Sequence, residues 1–181
     1  PVLRTGVDSM VYYIDFSFDN LKLGGSAFAQ SLDKIGKEVP TVQDSEYFAN
    51  AFNAVQELIN KELILAGHDI SAGGMITTML EMNFANTEGG LEVSLDEIPE
   101  KDLIKILFSE NPGILIQVEK TDEVEKILKK AGVAFIRLAR PCDERHLLIH
   151  KDGADYQFFI DHLRDVWFES SYLLDRKQSG E

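Results

Sequence analysis

His68-Asp69-Ile70-Ser71-Ala72-Gly73-Gly74, continued by Met75-Ile76-Thr77-Thr78-Met79-Leu80-Glu81-Met82, sets a carboxylate, a hydroxyl and two glycines at the mouth of an amphipathic helix. The apolar run Leu63-Ile64-Leu65-Ala66 arrives just before it, as a helix end or a short strand would, and the chain turns through glycine into the new helix. Backbone N–H groups at a helix start lack partners within the helix and face an anion readily. Asp69 offers the hard oxygen that Mg²⁺ prefers, and Mg²⁺ commonly takes only one or two protein carboxylates beside water and phosphate oxygens. Ser71 is able to donate to a phosphate or ribose oxygen. The same residue types are also ordinary helix caps and turn formers, so from chemistry alone both readings stay open. His68 has no partner legible in the sequence and receives no role.

Downstream, Met75, Met79, Leu80 and Met82 read as flexible core filling on a helix running to about Phe84. Leu91 to Leu95 alternates as a half-buried strand, and Lys101 to Phe108 forms a short helix ending at Ser109-Glu110-Asn111-Pro112-Gly113. Ile114 to Val118, Asp122 to Ala131 and Val133 to Leu138 then give a strand, a helix and a strand, a β-α-β unit. His146 to His150 reads as the next strand. Those two histidines show no third ligand, and Leu147-Leu148-Ile149 between them favours a strand over a metal-binding helix.

Upstream, Met10 to Phe18 is rich in β-branched and aromatic residues, reads as a strand and ends in the turn Asp19-Asn20. Leu23-Gly24-Gly25-Ser26 precedes a helical stretch from Phe28 to Leu32, with Ser26 as its expected cap, and a loop follows to Thr41. From Asp44, another cap, Phe48, Phe52, Val55, Ile59 and Leu63 fall at helical spacing, which predicts a long helix with that stripe facing the core. A last helix is expected from about Ile160 to Lys177. Strands and helices interleave without repeats, so the expected architecture is α+β: a mixed sheet covered by helices in three layers, partly ferredoxin-like, as a single domain.

Composition narrows function. The chain has 181 residues, 44% of them hydrophobic, enough for one filled core. Thirty-one acidic against 18 basic residues give a net charge of −13, which speaks against a nucleic-acid groove or an anionic membrane surface. No apolar run approaches the roughly 20 residues of a membrane span. The single cysteine, Cys142, excludes an intramolecular disulfide and fits a cytoplasmic location. Pro1-Val2-Leu3-Arg4 has neither an initiating Met nor a signal pattern, and Lys177 to Glu181 fades into polar residues, so an excised piece of a longer protein is expected.

Leu23-Gly24-Gly25-Ser26-Ala27-Phe28-Ala29-Gln30, His68 to Gly74, Glu81-Met82-Asn83-Phe84-Ala85 and Leu107-Phe108-Ser109-Glu110 occur in this order, followed by the tail Val166-Trp167-Phe168-Glu169-Ser170-Ser171-Tyr172-Leu173-Leu174-Asp175-Arg176. In these motifs the chain resembles the C-terminal domain of the aminoimidazole-ribonucleotide-synthetase superfamily, most closely the phosphoribosylformylglycinamidine synthase family in its large single-chain form. The resemblance covers nearly the whole chain. It implies that residues 1–160 are the superfamily C-terminal domain and 161–181 a helix leading toward a glutaminase domain. The implied parent is an ATP-dependent ligase of purine biosynthesis, which converts formylglycinamide ribonucleotide to the formylglycinamidine ribonucleotide with ammonia from glutamine. Phosphoryl transfer from ATP activates the amide oxygen in that family, and ammonia then displaces it.

The fragment resembles the second half, which holds an auxiliary ATP or ADP with Mg²⁺, so it is not expected to catalyse alone. The match implies Asp69 as a Mg²⁺ ligand, Ser71 as a nucleotide contact, and Gly73 and Gly74 as a turn permitting close approach of phosphate. Glu110 stands where the sister half touches substrate. Ala72 and Asn111 depart from the family, which often carries Asp and Glu there, so any extra metal or hydrogen-bond role at those places is absent. The implied partners are the remaining domains of the parent chain, the N-terminal nucleotide domain and the glutaminase. The alternatives are a smaller superfamily enzyme, such as a selenophosphate synthetase or thiamine-monophosphate kinase, and an interaction domain that binds no ligand.

Overall fold

The computed structural model describes residues 2–179. Its elements in chain order are β1 (Met10–Asp15), α1 (Ala27–Ser31), α2 (Ser45–Asn60), β2 (Ala66–Asp69), α3 (Gly74–Phe84), β3 (Gly90–Ser94), α4 (Leu103–Phe108), β4 (Gly113–Val118), α5 (Thr121–Lys130), β5 (Ile136–Cys142), β6 (His146–Lys151), β7 (Ala154–Phe159) and α6 (Ile160–Ser179). The strands join one sheet in the order β2-β4-β1-β5-β3-β6-β7. All neighbours are antiparallel except β3 and β6, so the sheet is mixed.

Two interleaved β-α-β units, β1-α2-β2 and β4-α5-β5, build the ferredoxin-like half. Each unit's strands run parallel with one strand of the other between them, which is why every hydrogen-bonded pair in that half is antiparallel. The segment α3-β3-α4 is inserted between the two units, and β6-β7-α6 extends the far edge. Alternation in β1 separates the two faces of the sheet. Met10, Tyr12 and Ile14 join α2 and α5 in one core, while Val11 and Tyr13 join α3, α4 and the start of α6 in the other. Three layers result, as expected.

The sequence stripe on α2 is rotated from its expected setting. The helix exists and Asp44 caps it, its carboxylate accepting from the Glu46 and Tyr47 N–H groups at 2.9 and 3.0 Å. Ala51, Ala54, Val55 and Leu58 form its buried face, whereas Phe52 and Ile59 are about half exposed. Two alanines let the helix sit close to the sheet, so small residues that carry little hydrophobic weight in the sequence set the contact face. Leu58→Ala should therefore cost about 3 kcal/mol and Phe52→Ala under about 1, measured by urea unfolding. Equal costs would contradict the observed face.

Other boundaries moved for local reasons. β1 stops at Asp15 rather than Phe18, because the Asp15 carboxylate accepts from the Ser17 N–H and hydroxyl and the Phe18 N–H, closing a turn. β7 has no counterpart in the sequence reading; its residues are mostly exposed at the sheet edge and lack an alternating pattern. The methionine-rich face of α3 is core as expected, with Met75, Met79 and Met82 buried. α6 begins on the core at Ile160, and Trp167 meets Phe84 at 5.7 Å between ring centroids. Among the described residues no helix is long and apolar enough to cross a membrane.

Candidate functional site

The motif that opened the sequence reading forms a corner where β2 ends and α3 begins. β2 pairs with β4, and the Ile70 N–H continues the register onto the Gly113 carbonyl at 2.9 Å. The chain then turns through Gly73 and Gly74, at φ of 90° and 75°, a left-handed conformation that favours glycine. Gly74 also answers to space. A Cβ there would lie 2.6 Å from the Leu107 carbonyl oxygen and 2.8 Å from the Phe108 Cα, so α3 starts directly on the backbone at the end of α4.

The two glycine turns of the sequence meet at this corner. One carboxylate oxygen of Glu110 accepts from the Gly73 N–H at 2.9 Å and from the Ala27 N–H at 2.7 Å, joining the starts of α3 and α1. Ser26 caps α1, its hydroxyl accepting from the Ala29 N–H at 3.2 Å while donating to the Leu23 carbonyl at 2.7 Å. Glu110 is thus a clasp within the fold. The Gly74 N–H is engaged as well, by the Ser71 carbonyl at 3.0 Å. Asn111 joins the same loop cluster: buried, it donates to the Ser17 hydroxyl and the Asn20 carbonyl, both at 3.1 Å.

Asp69 and Ser71 stand apart from this scaffolding. Gly73 occupies the N-cap position of α3 and among the described residues no side chain caps that helix, so neither residue takes the capping role its type allows. The Asp69 carboxylate is 76% exposed, and its one close partner among the described residues is the His68 ring, at 3.5 Å. The backbone beneath it is firmly held. The Asp69 carbonyl accepts from the Thr78 hydroxyl at 3.2 Å and faces His68 Nδ1 at 2.8 Å, while His68 Nε2 lies 3.2 Å from a Glu81 carboxylate oxygen. His68, which received no role from the sequence, is therefore a tether between β2 and α3. Its partner is thirteen residues along the chain on a different element, and no periodic signal links the two.

A divalent cation of the Mg²⁺ type fits this donor set as far as one exposed carboxylate allows. Among the described residues no group of three His, Cys, Asp or Glu side chains could hold a metal ion. Glu110 and Glu81 already have their partners within the fold.

Residues 11–147 match the family described as AIR synthase related protein, C-terminal domain. The chain belongs to that family. Among relatives of this family member, a probable phosphoribosylformylglycinamidine synthase (chloroplastic/mitochondrial) of Arabidopsis thaliana is 34% identical over 177 residues, which are 96% of this chain and 12% of the relative. The Homo sapiens phosphoribosylformylglycinamidine synthase is 32% identical over 173 residues, 92% of this chain and 13% of the relative. The chain thus spans about one eighth of the length of the curated relatives it matches.

Among solved structures, Thermotoga maritima PurL complexed with ATP superimposes with a TM-score of 0.68 at 15% identity, covering 90% of this chain and 27% of that one. The same protein complexed with ADP gives 0.67, also at 15% identity, covering 90% and 26%. At that identity the likeness shows the shared fold. It agrees with the mixed sheet and helical layers described above.

Proposed function

We propose that this AIR synthase related domain is part of a phosphoribosylformylglycinamidine synthase, an ATP-dependent C–N ligase drawing ammonia from glutamine. In this reading it contributes the Asp69–Ser71 corner to a Mg²⁺-nucleotide site of auxiliary type. The observation that carries the site is the exposed, uncapped pair of Asp69 and Ser71 on a backbone tied down by Thr78, His68 and Glu110. The fold holds the corner rigid and leaves both side chains available.

Asp69 would supply one oxygen to Mg²⁺, with water, phosphate oxygens and groups from elsewhere in a longer chain completing the shell. Ser71 would donate to a phosphate or ribose oxygen. Gly73 and Gly74 act chiefly through shape, since their N–H groups are already bonded and the absence of Cβ atoms is what lets the turn lie low. Glu110 positions the two turns from behind. The relatives' names and their far greater length support the reading of this chain as one domain among several. Val166, Phe168, Tyr172, Leu173 and Leu174, each about half exposed or more on α6, suit contact with such further domains, including a glutaminase after residue 181.

ADP with Mg²⁺ should raise the unfolding free energy of the chain by about 2.7 kcal/mol at a hundredfold excess over its dissociation constant. Scanning calorimetry with ADP in Mg²⁺ and in EDTA reads the difference. No gain from Mg²⁺ would contradict the site and favour a domain that binds no metal nucleotide.

A further inference from the structure

The sheet ends on a bare strand. β7 pairs with β6 on one side only, in an unbroken register from Lys151↔Ala154 to His146↔Phe159, and no strand follows it in the sheet. Among the described residues, no backbone group of Ala154–Phe159 bonds to backbone beyond the β6 ladder. The hairpin fixes which groups are left over. Asp152 and Gly153, at φ of 51° and 80°, make a two-residue turn between Lys151 and Ala154, and the pair that closes such a turn exchanges both of its hydrogen bonds. Bonded and non-bonded pairs alternate from there, so the N–H and C=O groups of Asp155, Gln157 and Phe159 point away from β6.

Unpaired backbone of this kind recruits another strand unless Lys, Pro, a bulge or brevity blunts the edge. The run Ala154-Asp155-Tyr156-Gln157-Phe158-Phe159 has no Lys, no Pro and no register shift, and Phe159 and Tyr156 are 64% and 40% exposed. Asp155 is its single carboxylate, and the His150 ring engages it at 2.6 Å. At the other end of the sheet β2 has only four residues, one of them Gly67. With one long edge on offer, a closed pair of like edges is favoured over an open chain of copies.

The edge is complementary to itself. Antiparallel pairing about a two-fold axis at Gln157 sets the outward N–H of each Gln157 on the C=O of the other, with Asp155 opposite Phe159 and Tyr156 opposite Phe158. Outward donors meet acceptors, aromatic rings pair across the strands, and no carboxylate faces another.

We propose that β7 is an interaction edge through which two copies of this chain dimerise, their sheets running on as one. The Asp69 corner lies at the β2 end and stays free, so this inference stands apart from the nucleotide site.

Sedimentation velocity of the 181-residue chain tests it. One short strand pair makes a small interface, so the average mass should rise from one chain toward two between about 10 µM and about 1 mM, and no further. Added KCl should favour the dimer, since each copy carries a net charge of −13. Gln157→Pro removes two hydrogen bonds between the copies but none from the β6 ladder, so the fold should survive while the dissociation constant rises at least about tenfold. Gln157→Lys sets two ammonium groups together at the axis; it should weaken the dimer likewise and serves if the proline variant unfolds. A chain that stays monomeric across this range, or a dimer that Gln157→Lys leaves unmoved, overturns the proposal. So does growth past the dimer, since pairing about a two-fold axis closes at two copies.

Discussion

Gly74→Ala is expected to cost more than about 3 kcal/mol, a large fraction of a domain's total stability. Two causes add at this position. The left-handed φ of 75° costs an L-residue about 1–2 kcal/mol, and the new Cβ meets backbone at the end of α4, at Leu107 and Phe108, which no side-chain rotation relieves. Gly132→Ala is the matched control. Its φ of 69° is similarly left-handed, but a Cβ there has nothing within 4 Å among the described residues, so only the conformational term, about 1–2 kcal/mol, should appear. Urea unfolding of the two variants separates the terms. Equal losses would mean that the contact between the α3 start and the α4 backbone does not constrain the fold.

Removing the Glu125 carboxylate should also cost a large share of the stability. One of its oxygens accepts from the buried Tyr12 hydroxyl at 2.9 Å and from Arg137 Nε at 2.7 Å, and the other lies 2.9 Å from Lys129 Nζ. Glu125→Ala leaves Tyr12 Oη without its partner under the sheet, so about 2–3 kcal/mol should be lost. Adding Tyr12→Phe should return part of it, because the stranded hydroxyl is then gone. The hydrogen bond from Lys129, with those from Arg137 and Tyr12, holds the Glu125 carboxyl down from an ordinary 4.5 to about 2. Burial and the Glu125 charge push the Tyr12 phenol up to about 12, so it stays a neutral donor at physiological pH.

The folded carboxyl is the more acidic one, so its stabilising contribution is complete above pH 4.5 and is lost as pH falls from there toward 2. The stability difference between the wild-type chain and Glu125→Gln should shrink across that window. A difference that stayed constant down to pH 2 would contradict the depressed acidity.

Periodicity carried most of the fold because each helix that lies on the sheet needs an apolar face, and residues such as Val124, Ile127 and Leu128 of α5 declare it. It misjudged α2, where Ala51 and Ala54 set the contact and the large Phe52 stays half outside. It missed β7, an edge strand whose exposed residues owe their conformation to pairing with β6 rather than to any pattern of their own. The chemistry of the site was legible as residue types around one glycine turn. Its wiring was not. That Glu110 would clasp Gly73 and Ala27, and that His68 would reach Glu81 on the next element, depend on contacts that only the folded chain makes. One sequence displays no such coupling.

The Asp69 carboxylate is the point on which the nucleotide site turns. It is exposed and caps no helix, so Asp69→Asn should leave the fold and its unfolding temperature nearly unchanged while removing a hard anionic oxygen. Calorimetric titration of ADP with Mg²⁺ into the wild-type chain and into Asp69→Asn is the most direct measurement. The account predicts that the Mg²⁺-dependent part of the binding is present in the first and lost in the second. The same Mg²⁺-dependent affinity in both would contradict it and remove Asp69 from the site.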